Sequence, residues 1–483
     1  MRNTYLEGVY APVREELTVT DLRVTGHIPE YLDGRYLRNG PNPISEVDPS
    51  TYHWFMGDGM VHGVRLRDGQ AQWYRNRWVR SPSAAAVLGE PVPGAPGSAP
   101  ITSIGANTNV IQHAGRTLAL VEGGATNYEL TEELDTVGPC DFDGTVPGGY
   151  TAHPKRDPET GELHAVSYFF GSGNQVRYSV IDANGRARRT VDVKVTGSPM
   201  MHDFSLTEKH VIFYDLPVTF DPDQAVAETR MPYLLRAPAR LLMSALIGRV
   251  RVPDPVAAML GRSTRSNGRM PYRWNPRYPA RVGVMPREGG AADVRWFDVE
   301  PCYVFHPLNA YDEGDTVVLD VVRHPRMFAT DTNGPNEAPT LDRWTVDLAD
   351  GKVRESRLDD RPQEFPRVDE RLVGRRHRYG YALQTEYTTE FNMGDALLKH
   401  DLVAGRTEAA SLGKGRSGSE FVFIPSSSDA AEDDGVLMGF VYDSATDLSE
   451  LAILDARTLE AVGAVHLPAR VPNGFHGNWA PTE

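Results

Sequence analysis

Cysteine is almost missing from this chain: its 483 residues contain two, Cys140 and Cys302. With no neighbour at ligand spacing, they build neither a disulfide framework nor a thiolate metal site. Long apolar runs are missing as well. No stretch of about eighteen apolar residues exists, so no helix is expected to span a bilayer. The start, MRNTYLEGVYAPVREELTV, lacks the basic-then-apolar order of a signal peptide. A positive excess is also absent: 50 Lys and Arg face 65 Asp and Glu, for a formal net charge of −15. That balance argues against a general nucleic-acid-binding surface. What remains is the expectation of a reduced, cytoplasmic enzyme or binding protein.

Helical periodicity is nearly absent too. In its place stand short runs rich in Val, Ile, Tyr and Phe, punctuated by 45 Gly and 36 Pro. VIQHAGRTLALVE, YSVIDANGRARRTVDVKV, HVIFYDLPVTF, TVVLDVV and LAILDARTLEAVGAVHLP each read as a strand or a strand–turn–strand. Such units recur from about residue 35 onward, which favours an all-β repeat architecture over alternating βαβ units. No strict short repeat is visible, which argues against a consensus solenoid. A β-propeller of hairpin-rich blades tolerates this divergence. The whole chain, 1–483, is expected to form one such domain.

Two stretches break the pattern. SPSAAAVLGEPVPGAPGSAP, residues 81–100, reads as an irregular surface excursion. Met231–Arg262, within an apolar insert at about 225–265, is apolar with Arg236, Arg240, Arg249 and Arg251 interspersed. An amphipathic helical insert is expected there. It either packs on the β body or forms an interfacial patch at a membrane or at the mouth of an apolar tunnel.

Among fourteen histidines, three share a local grammar. His153, in YTAHPKRDPETGELHAVSYFF, His202, in MMHDFSLTEKHVIFYDLPV, and His306, in YVFHPLNAYDEGDTVVLDVV, each precede a charged turn and an aliphatic strand. With His476, in VPNGFHGNWAPTE, the spacings are 49, 104 and 170 residues. These exclude helix-borne ligand pairs such as H-E-x-x-H. They suit a closed ring in which separate blades each send one side chain to the axis. Spacing alone leaves open both a ligand set and ordinary hydrogen-bonded histidines; His62, His113, His210 and His377 show how easily one overcounts. Glu122 in LALVEGG, Glu364 in QEFPRV and Glu420 in GSEFVFIP lie in or beside apolar strands. A buried carboxylate there needs a partner, and a ligating imidazole commonly donates its other N–H to one. Each is equally compatible with a rim salt bridge.

An ordered set of motifs resembles the carotenoid cleavage oxygenases: GRYLRNGPNP, FMGDGMVHGVRL, ANTNV, LVEGG, TAHP, MMHDFSLTEKHVIFYDLPV, FHPLNAYDEGDTVVLDVV, EFP, AEDDGVLMGFVYD and FHGNW. DGM or EFP alone carries little; the set, in order from about residue 5 to 480, is specific. The resemblance implies a seven-bladed β-propeller; with the insert read above, the expected fold is all-β with a helical, apolar cap on one face. It also implies a ferrous ion, Fe(2+), held by His153, His202, His306 and His476. Glu122, Glu364 and Glu420 would then orient His202, His306 and His476, leaving His153 without a carboxylate partner. Thr108, in NTN, falls where the family often places a small side chain near an open coordination position. The implied reaction is cleavage of a C=C bond of a carotenoid or apocarotenoid by O2, giving two carbonyl products. Stilbene-cleaving relatives typically carry a lysine where this chain has Val121, and valine cannot bind a phenolate. The apolar insert also favours a polyene. A metal-free binding scaffold and a Ca2+-dependent propeller hydrolase, which would need oxygen ligands, are the rival classes.

Overall fold

The computed structural model describes residues 3–482 apart from 102–104, 147, 228–232, 254–255, 257–269, 330–336 and 388–390. Seven antiparallel sheets of four to six strands make the blades of a β-propeller. Most blades are built as the hairpin pattern requires. Asn109–His113 and Arg116–Leu120 pair across Ala114 and Gly115, whose φ values of 51° and 70° give the twist a two-residue hairpin needs. In the next blade Gln175–Ile181 turns into Ala187–Lys194, and the Asp182 carboxylate caps the turn by accepting from the backbone N–H of Asn184 and Arg186.

The ring is closed by both ends of the chain. Gly477–Pro481 pairs with Gly34–Pro41 in the first blade, and Val24–Gly26 pairs with Ala461–His466 in the seventh. Covering an edge strand in this way removes the open ladder that would otherwise invite pairing with another chain.

One expected hairpin does not form. In HVIFYDLPVTF the strand His210–Asp215 pairs with Arg281–Pro286, while Val218–Phe220 pairs with Tyr272–Trp274 in a separate two-stranded sheet. Pro217 has no N–H to give a ladder, and the chain leaves the blade there. It returns at the same rung: Asp215 lies opposite Arg281, whose Nε donates to the Asp215 carboxylate at 2.9 Å. The excursion therefore runs from Leu216 to Ala280, wider than 225–265.

Its described residues include two helices, Pro222–Ala227 and Tyr233–Leu246. Of the expected insert, Met231 and Arg262 lie outside the described residues, as do 254–255 and 257–269. No described helix is long and apolar enough to cross a membrane. The stretch 81–100 also departs from expectation, because Pro82–Leu88 is a helix. Its signals are complete: Ser81 Oγ accepts from Ala84 N–H, Pro82 occupies the first turn, and Gly89 ends it with a φ of 70°.

Candidate metal centre

Every blade contributes to one point on the axis. His306 sits on the edge strand Tyr303–Glu313 of the fifth blade, where the register slips between Val304 and Pro307. His153, His202 and His476 immediately precede the corresponding strands Lys155–Arg156, Ser205–Leu206 and Gly477–Pro481. Glu364 lies on Gln363–Arg367 of the sixth blade, and Glu420 precedes Val422–Pro425 of the seventh. The second blade supplies Thr108 and Glu122. The grammar shared by three of the histidines therefore has a structural meaning: a blade begins at the axis, turns at the rim and returns as an aliphatic strand.

All four histidines are buried, and one ring nitrogen from each lies within 4.8 Å of the others. Carboxylates fix three of the rings. Nδ1 of His202 is 2.8 Å from Glu122, Nδ1 of His306 is 2.7 Å from Glu364, and Nδ1 of His476 is 3.0 Å from Glu420. An Nδ1–H donated outward leaves each Nε2 as a lone pair directed inward. Nε2 of His202 and Nε2 of His306 are 3.1 Å apart, and Nε2 of His153 is buried without a hydrogen-bond partner. Facing lone pairs repel unless a cation lies between them, so this donor set fits a bound metal ion.

The electrostatics agree at His153 and His306. Burial, and then the neighbouring His202, push the pKa of His153 well below its ordinary value. Burial also lowers His306, against the pull of Glu364. For His202, burial works against protonation but Glu122 outweighs it, and its pKa is raised. Two of the carboxylates are held ionised: burial opposes this at Glu420, yet Arg367 and His476 hold its pKa down to about 2. Glu364 is likewise held far below the carboxylate range by His306 and His324, against burial.

Two cavities meet at the histidines. One, of about 140 Å³, is walled largely by aromatic and apolar side chains, among them Phe55, Val121, Tyr168, Phe305 and Phe328. Val121 thus faces an apolar space. The other, of about 100 Å³, is polar and includes Lys155, Asp203, Arg367 and Asn478. His306 and His476 line both. Thr108 lines the apolar side, and its carbonyl accepts from the backbone N–H of His476 at 3.0 Å.

Two groups escaped the sequence reading. His324 Nε2 lies 2.7 Å from the second oxygen of Glu364, so one carboxylate holds two histidines. The signal was a histidine ending the apolar strand VVLDVVRH, eighteen residues beyond His306. Asp203 approaches Nδ1 of His153 to 3.8 Å, beyond hydrogen-bond range, and is paired with Lys155 at 2.8 Å. His153 therefore lacks a direct carboxylate bond but has a charged neighbour that the residue beside His202 supplies. The four histidines set aside above bond elsewhere: His62 to Tyr74, His113 to the carbonyl of Asp182, His210 to Asp312, and His377 to Asn309.

His476 is held by a wedged backbone. Its N–H donates to Thr108, its carbonyl accepts from Asn39, and Gly477 N–H donates to Glu420 at 2.9 Å. Neither Gly474 nor Gly477 adopts a positive φ, so they are not needed for tight turns. They are needed for close approach. A Cβ at Gly474 would come within 2.7 Å of Gly40 Cα, and one at Gly477 within 2.7 Å of the Leu37 carbonyl oxygen.

Comparison with known proteins agrees with this architecture. Residues 10–481 match the family described as RPE65, retinal pigment epithelial membrane protein. The chain is 60% identical to a carotenoid cleavage oxygenase of Mycobacterium tuberculosis, with 100% of this chain and 98% of that protein covered. It is 31% identical to carotenoid 9,10(9',10')-cleavage dioxygenase 1 of Arabidopsis thaliana, over 99% of this chain and 90% of that one. Among solved structures, Pseudomonas brassicacearum lignostilbene dioxygenase superposes with a TM-score of 0.82 at 29% identity, covering 100% of this chain and 99% of its own. The histidine quartet on a seven-bladed axis and these likenesses place the chain in the RPE65 and carotenoid cleavage oxygenase family.

Proposed function

We propose that this chain is a non-haem iron oxygenase that cleaves a C=C bond of a carotenoid or apocarotenoid with O2, giving two carbonyl products. The observation that carries this reading is the buried histidine quartet, backed by three carboxylates and opening onto an apolar cavity. His153, His202, His306 and His476 are the ligands in this reading. Glu122, Glu364 and Glu420 orient three of them and offset the charge that four neutral imidazoles leave uncompensated. Imidazole alone does not choose among metals; membership of the family supports iron, as Fe(2+). When bound, that ion supplies the activation of O2 and the redox chemistry. The chain supplies position: aromatic walls hold an olefin beside the quartet and exclude water, while Thr108 crowds the approach from one side.

The helix Tyr233–Leu246 supports an apolar delivery route. Leu241 and Leu242 are 68% and 61% exposed, whereas Met243 packs in the same cluster as Phe170, Met270 and Tyr272, which line the cavity. In this reading the insert is an apolar cap that lifts a polyene from a lipid surface. The 1–483 chain acts as one catalytic domain, since residues from both ends complete the ring.

A stilbene-type phenolic olefin is the second reading, favoured by the likeness to lignostilbene dioxygenase. Val121 weighs against it, being buried in the cavity wall with no group to bind a phenolate. One experiment separates these. Protein produced with iron is analysed for metal and incubated with carotenoids, apocarotenoids and a hydroxystilbene, in liposomes and in detergent, with products read by mass spectrometry. About one iron per chain, lost in His306→Ala, and aldehydes from the polyenes are expected. Protein without iron, or cleavage confined to the stilbene, would overturn the reading. Leu241→Ser with Leu242→Ser should lower turnover from liposomes more than from detergent.

A further inference from the structure

The apolar cavity runs between two hydrophobic clusters that share Phe55. On one side, toward the insert, it is lined by Tyr168, Phe170 and Tyr272. Its lining also includes Tyr5, from the segment Asn3–Tyr10. Ring centroids step from His202 to Phe305 (5.2 Å), to Phe55 (6.1 Å), to Phe475 (5.3 Å), to Trp54 (4.6 Å), and finally to Tyr5 (5.8 Å). Tyr5 lines the cavity, is 3% exposed, and lies flat on Trp54 at an interplanar angle of 4°. Tyr10 packs edge-on against both rings at 5.3 Å.

This segment is fastened. Two short 3-10 turns, Thr4–Leu6 and Gly8–Tyr10, fold it on itself. The Asn3 side-chain amide donates to the carbonyls of Pro49 and Tyr52, while its oxygen accepts from Tyr5 N–H. Asn473 N–H donates to the Val9 carbonyl, and Trp54 Nε1 donates back to the Asn473 carbonyl at 3.2 Å. Asn473 stands just ahead of His476, so the segment braces the same stretch of backbone that presents that histidine.

We infer that Asn3–Tyr10, through the ring of Tyr5, is the end wall of the apolar cavity and sets how far an apolar chain extends past the histidine quartet. The length admitted beyond the quartet decides which double bond rests beside it. Tyr5 is thus a specificity-determining residue; this inference rests on the reading of the cavity as a polyene site.

The test uses iron-loaded protein and a series of polyene aldehydes of graded length. Binding is read by quenching of tryptophan fluorescence, to which Trp54 reports directly, and cleavage products by mass spectrometry. Tyr5→Ala should raise the affinity ratio of the longest to the shortest member by about tenfold and move the cleaved bond along the chain. Tyr5→Leu, which keeps apolar packing should the alanine variant unfold, should shift both in the same direction by less. Iron content should stay at the parent level. Unchanged length preference in a folded variant overturns the end wall whether or not cleavage occurs. A parent that binds no polyene of any length removes the underlying reading and the end wall together.

Discussion

His324 and His306 are joined through one carboxylate: Glu364 receives Nε2 of His324 on one oxygen and Nδ1 of His306 on the other, each at 2.7 Å. The oxygen that faces His306, Oε2, also accepts from the backbone N–H of Phe365 at 2.6 Å. Phe365 takes a φ of 54°, unusual for a side chain of that size. It sits where the register of Gln363–Arg367 shifts between Glu364 and Arg367, and its N–H meets the carboxylate there.

Glu364→Gln should therefore cost metal before it costs fold. An amide offers one acceptor where the carboxylate offers two, so one histidine must face an N–H. Iron affinity, measured by chelator competition, should fall about 10- to 100-fold, with the far-ultraviolet spectrum unchanged. His324→Leu should produce a smaller loss of the same kind. Parent-level affinity in both variants would show that His306 needs no such support.

Removing residues 474–483 takes away His476, the Gly477 contact to Glu420 and a whole strand of the first blade. No iron should be retained. Removing only 480–483 sacrifices the pairs of Ala480 with Arg35 and Pro481 with Gly34, and the bond from Thr482 N–H to Asp33. That costs about 1–3 kcal/mol and should lower the unfolding midpoint while leaving iron near one per chain.

Acid sensitivity should centre on carboxylates between blades. Asp157 accepts from the backbone N–H of Glu159 and Thr160 and pairs with Arg287 of the next blade. Burial opposes its ionisation, but these bonds outweigh it and hold its pKa at about 2, below the ordinary 3.8. A depressed native pKa contributes stability above the unfolded value, lost as pH falls toward the native one. Asp157→Asn should thus be less stable than the parent at pH 7 in thermal unfolding, and the gap should close between about pH 4 and pH 2. A gap independent of pH would point to lost packing.

Much of this was legible in the residues. Strand–turn–strand units declare themselves because a hairpin is local: its register and turn chemistry lie within about twenty residues, as at Ala114 and Gly115. Three of the histidines could be grouped because each opens a blade. What failed to show is non-local. HVIFYDLPVTF looks like a hairpin, and only the distant Arg281 reveals that its partner lies beyond an inserted sheet. His324 has no motif of its own; its role exists because the fold brings it to Glu364. Asp203 could be seen beside His202, but not that it points toward His153. The Tyr5 wall was equally silent, since two tyrosines near the start of a chain announce nothing until the fold packs both against Trp54.

The closure of the ring carries a kinetic consequence. Arg38 and Gly477 pair across nearly the whole sequence, so the loop-closure entropy is paid before the last strand adds any contact. Such contact order makes assembly slow. The fourth histidine enters only when that strand docks, which makes metal uptake a late event in folding. Conversely, a lesion that lets the first and seventh blades part should release the ion while most hairpins still stand. Retained metal is therefore a gauge of whether the circle is shut, more sensitive than any measure of sheet content.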